Sequence, residues 1–143
     1  MDRSKIPDAA LAELRELYSR LGAELEPYRR HCAARGLCCN FVKTGHMLYL
    51  TDLESALMSR CGLEPVEEQA VQGSCPYLRG TECGAREHRG LGCRMYYCDT
   101  TYETERNAVY ETYLKEIRAI EARHGIEHFY RPVTAIHFKE FSA

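Results

Sequence analysis

The chain has 143 residues, 19 Lys and Arg against 21 Asp and Glu, a formal net charge of -2, 8 Cys and 6 His. That length suits one ordinary domain with a small core, and the missing basic excess argues against nucleic acid as a partner. No apolar run approaches a membrane span, and the stretch Met1 to Asp8 lacks the apolar segment of a signal peptide, so the expectation is a cytoplasmic chain with no membrane partner and reduced thiols.

In chain order, Leu11, Leu14, Leu17, Leu21 and Leu25 recur at helical steps with charged residues between them. This spacing predicts an amphipathic helix, started at Pro7 and stopped or kinked at Pro27, whose apolar stripe serves core packing. His46 to Leu50 reads as a strand or extended run. Thr51-Asp52-Leu53-Glu54 is a capping-box sequence that opens a helix to about Arg60, with Gly62 as its stop. Glu64 to Gln72 is ambiguous, and Gly73 to Gly92 is predicted to be irregular loop.

A second capping-box sequence, Thr100 to Glu103, precedes Tyr110, Tyr113, Leu114, Ile117 and Ile120 at helical spacing, with Gly125 after the last turn. The alternation from Val133 to Phe138 predicts a strand. The fold class is therefore α+β and mainly helical: N- and C-terminal helices around a loop-rich cysteine centre with short strands. Without a repeat or a linker, residues 1–143 read as a single domain.

Seven cysteines fall in two stretches: Cys32, Cys38 and Cys39, then Cys75, Cys83, Cys93 and Cys98. Thiolates aimed from separated loops suit the tetrahedral sulfur sets of zinc and of iron–sulfur clusters. A lone buried cysteine is more often an apolar filler. That reading is applied to Cys61, at a helix end away from both stretches, and rejected for the clustered seven. No CxxC pair is present, and neither are HExxH, GxSxG, a phosphate loop or a carboxylate pair.

Cys32, Cys38 and Cys39, Leu48 to Glu54, Cys75-Pro76-Tyr77-Leu78, Cys83, Arg86 to Arg89 and Cys93-Arg94-Met95-Tyr96 follow one another in an order that has a counterpart. Over residues 32–98 the chain resembles the YkgJ-type cysteine-cluster family, a CxxCxxCC zinc- or iron-chelating domain. Cys32, Cys38 and Cys39 match the first, third and fourth cysteines of that motif. Arg35 stands at the second, and Gly90 replaces a proline after Arg89. Cys98 is a candidate substitute ligand; Arg35 is alternatively a cation that offsets thiolate charge.

The resemblance implies a metal-binding protein with an iron–sulfur or zinc centre, structural or redox. The metal ligands are then drawn from Cys32, Cys38, Cys39, Cys75, Cys83, Cys93 and Cys98. Arg89 and Arg94, which match family positions, are cofactor-side cations that neutralise the thiolates. The thiolate surplus and the lack of histidine in the clusters favour iron–sulfur. Two other classes stay open. One is a metal-dependent enzyme, since a similar domain occurs in proteins proposed to methylate flagellin lysines; the other is metal delivery or storage. His31 and His88 read as neighbours of the cysteines rather than ligands, and the tyrosines around residues 96–113 as packing over the metal loop.

Overall fold

A computed structural model describes residues 6–27, 47–80, 82–95 and 103–136. In chain order the elements are helix α1 (Asp8–Glu24), strand β1 (Tyr49–Thr51), helices α2 (Asp52–Met58) and α3 (Glu67–Val71), and strands β2 (Leu78–Arg79) and β3 (Glu82–Cys83). Then come helices α4 (Leu91–Met95) and α5 (Glu103–Arg123), strand β4 (Tyr130–Pro132) and helix α6 (Val133–Ile136). The described architecture is α+β and mainly helical, and its two sheets are antiparallel pairs, β1 with β4 and β2 with β3.

Pro7 supplies the extended residue before α1, where its missing N–H costs nothing. Leu11, Leu14, Leu17 and Leu21 form the buried stripe, and they pack against α2, α4 and α5 through Leu53, Leu57, Leu91, Tyr113, Ile117 and Ile120. The Thr51 side chain accepts from the Glu54 N–H while the Glu54 carboxylate accepts from the Thr51 N–H, so the capping box forms in full. A 3-10 turn, Ser59–Cys61, continues α2 to Gly62, whose φ of 87° ends it, a backbone state that favours glycine.

Every residue of α2 is buried, so the helix has cores on two sides. Leu53, Ala56 and Leu57 face the α1–α5 core, whereas Met58 joins a second cluster with Leu48, Leu50, Cys75, Tyr77, Ala85, Cys93 and Val133. α4 divides in the same way. Leu91 and Met95, one turn apart, enter the first core and Cys93 between them enters the second, as a period near 3.6 requires.

Three expectations change. The tail is helical at Val133–Ile136, and the strand lies just before it at Tyr130–Pro132, paired with Thr51, Leu50 and Tyr49. The Val133 N–H donates to Leu48 O and the Val133 side chain is fully buried, which fixes the turn out of the sheet. The stretch read as irregular loop contains the β2–β3 hairpin, and α4 begins at its end. The ambiguous stretch holds the short helix α3.

Candidate metal centre

The β2–β3 hairpin, the residues just before it and α4 carry three of the expected ligands. Cys75 precedes the β2–β3 hairpin, and the loop between them is clasped from several directions. Gln69 of α3 donates to Leu78 O at 2.7 Å and to Cys75 O at 3.5 Å. The Arg79 guanidinium donates to Pro76 O, Leu78 O and Glu64 O. Gly84 closes the hairpin through a 2.9 Å bond from its N–H to Tyr77 O, and a Cβ there would lie 2.4 Å from Leu63 Cδ1 and 2.7 Å from that same oxygen. Only glycine fits.

Cys93 is set by the segment that leads into α4. The Arg94 N–H donates to Gly90 O, and the Leu91 N–H donates to Glu54 Oε2 at 2.5 Å. A Cβ on Gly90 would stand 2.1 Å from Leu50 Cδ2 and 3.0 Å from Glu54 Oε2. Gly90 thus lets the α4 segment press against β1 and α2.

The outcome is one core shared by cysteines from separate segments. Cys75 and Cys93 are buried in it, and the half-buried Cys83 packs against it. Burial pushes the Cys93 thiol well up, and the neighbouring Cys75 and Cys83 thiols add to the rise because thiolates side by side repel. Cys61, half-buried at the end of its 3-10 turn, packs against the same cluster. Its Sγ lies 3.9 Å from Leu63 O. Among the described residues, no three His, Cys, Asp or Glu side chains are arranged as they stand to hold a metal ion. Cys32, Cys38, Cys39 and Cys98 lie outside the described residues, as do His31 and Arg35.

The two arginines part company. Arg89 acts on Cys93 as an opposing charge that lowers its pKa, and its Nε donates to Arg86 O. Arg94 turns towards α1, with its guanidinium carbon 4.1 Å from the centre of the Tyr18 ring and donations to Arg89 O and Glu87 O. His124 and His128 are engaged with Glu13 and Glu121 rather than with the cysteines. Tyr113 packs in the first core and Tyr110 meets the Tyr130 hydroxyl.

Sequence reasoning did not foresee Glu54 as a hub. It is buried, and one carboxylate accepts from the Tyr18 hydroxyl, the Thr51 N–H and hydroxyl, and the Leu91 N–H. The capping box announced only the Thr51 contacts; the others depend on tertiary packing.

Soft sulfur donors from separate segments suit zinc or iron chemistry. Cys75, Cys83 and Cys93 are the sulfur donors of the expected set that lie among the described residues. Comparison with family models, curated proteins and solved structures gives no match.

Proposed function

We propose that this chain is a small metal-binding protein in which Cys75, Cys83 and Cys93, with thiols from Cys32, Cys38, Cys39 and Cys98, ligate an iron–sulfur or zinc centre. The observation that carries the reading is the meeting of Cys75, Cys83 and Cys93 in one buried cluster around α4. Thiols within electrostatic reach of one another repel on ionisation, a cost that a bound cation reverses. A metal ion displaces the thiol protons, so binding is coupled to pH and to folding. Arg89 supplies a positive charge that offsets the thiolates. The similarity to the YkgJ-type family and a reducing, cytoplasmic setting belong to the same proposal.

Elemental analysis of anaerobically purified protein tests it. Stoichiometric iron, with a sulfur-to-iron charge-transfer band that bleaches with dithionite, is expected for a redox cluster, and stoichiometric zinc without colour for a structural site. Protein free of both metals, with all thiols titratable, would refute the proposal.

A further inference from the structure

A cavity of about 570 Å³ opens between one face of α1 and the segment that leads into α4. Arg15, Ser19 and Gly22 line it from the helix, and His88 and Arg94 from the opposite wall. We propose that this cavity binds a small oxyanion, a carboxylate or a phosphate, between Arg15 and Arg94, with Ser19 and His88 as additional donors.

The first argument is a pair of guanidinium groups in one cavity. Arg15 is exposed and has no ion-pair partner among the described residues. Arg94 is held by two backbone carbonyls and a tyrosine ring, so its position is fixed; Glu87 acts on it as an opposing charge without an ion pair among the described residues. Guanidinium groups bind carboxylate and phosphate with a matched fork of donors, and pre-positioning limits the entropy lost on binding. Burial, followed by the Arg15 and Arg94 charges, holds His88 below its ordinary range, which is consistent with a positive field in the cavity.

Glu26 and Glu87 also line the walls and temper that field. Glu26 lies eleven positions beyond Arg15, about 16 Å along the helix axis, and has an interaction of its own. Glu87 opposes the arginines at His88, where its effect is smaller than that of Arg15 or Arg94.

The second argument is the floor. Gly22 lies in the interior of α1, where glycine costs about 1 kcal/mol relative to alanine. A Cβ there would meet nothing within 4 Å, so close packing does not demand the glycine. Its effect is to leave the cavity open.

Titration calorimetry on the full chain at low ionic strength, with inorganic phosphate and separately with malonate, tests the site. Binding of either is expected, and the tighter one identifies the chemical source. Arg15→Gln is expected to weaken it about tenfold. Gly22→Leu, which fills the floor without touching a charge, is expected to abolish it. Arg20→Gln, which removes the Glu116 partner on a different face, is expected to leave it unchanged. Absence of binding for both anions, or equal affinity in the wild type, Arg15→Gln and Gly22→Leu proteins, would overturn the proposal. Neither result touches metal content, so the two proposals fail separately.

Discussion

The Tyr18 hydroxyl donates a 2.7 Å hydrogen bond to Glu54 Oε2 across 36 residues of sequence. Through that oxygen, which also accepts from the Leu91 N–H, α1 and the helix carrying Cys93 share one buried anchor. The anchor explains how short elements hold a thiol cluster in place: the long α1 and the wholly buried α2 fix the start of α4.

Glu54→Ala should therefore cost about 3 kcal/mol or more, because it strands the Tyr18 hydroxyl and the Thr51 and Leu91 N–H groups in the core. Tyr18→Phe removes one charge-assisted bond and keeps the ring under Arg94, so about 2 kcal/mol is expected. Urea unfolding of both variants and of the double mutant checks the assignment; additive losses would show that the two residues do not act together.

Two glycines near the cluster should respond in opposite ways. Gly90→Ala drives a Cβ into Leu50 and Glu54 and should destabilise by about 1–3 kcal/mol. At Gly92, inside α4, the nearest atom to a Cβ is Tyr49 O at 3.5 Å. Gly92→Ala should then be neutral or stabilise by up to about 1 kcal/mol through helix propensity. Thermal unfolding of the pair is the comparison to make.

These residues also show how much of the fold was legible in the sequence. The Leu stripe of α1, the Thr51–Glu54 box and the spacing from Tyr110 to Ile120 are local patterns, and each element they announce is present. The tail misled because Val133 to Phe138 alternates like a strand, whereas the backbone pairing with β1 is taken by Tyr130–Pro132 and Val133 is buried as the chain turns into α6. The meeting of Cys75, Cys83 and Cys93 was foreseeable as residue chemistry. The packing of Cys61 against the same core was not, since it depends on how the turn after α2 packs. Cys32, Cys38, Cys39 and Cys98 fall outside the described residues.

Alkaline pH should weaken the fold. Burial, then the bond to Glu24, pushes the Tyr113 hydroxyl from 10.0 up to about 12. The sign follows from linkage. The raised pKa contributes stability that is complete below pH 10.0 and is lost as pH climbs through about 12. Tyr113→Phe should show a shallower decline over that interval in chemical denaturation; an unchanged slope would contradict the assignment.

Glu121 is 2% exposed and its Oε2 has no partner, while Oε1 meets His128 Nδ1 at 2.8 Å. Burial pushes its carboxyl up, so the charged form is disfavoured in the fold, and stability from this group falls as pH rises above the ordinary carboxylate range. Glu121→Gln should raise the melting temperature by a few degrees at pH 7 and give little gain near pH 4. Equal effects at both pH values would show that the buried charge is not the cause.

The most direct test of the metal proposal is the iron and zinc content of Cys93→Ser and Cys61→Ser proteins, purified anaerobically beside the wild type. Cys93 lies in electrostatic reach of both Cys75 and Cys83, whereas Cys61 is outside the proposed ligand set. The account predicts stoichiometric metal in the wild type and in Cys61→Ser, and its loss in Cys93→Ser. Full metal retention in Cys93→Ser would contradict it.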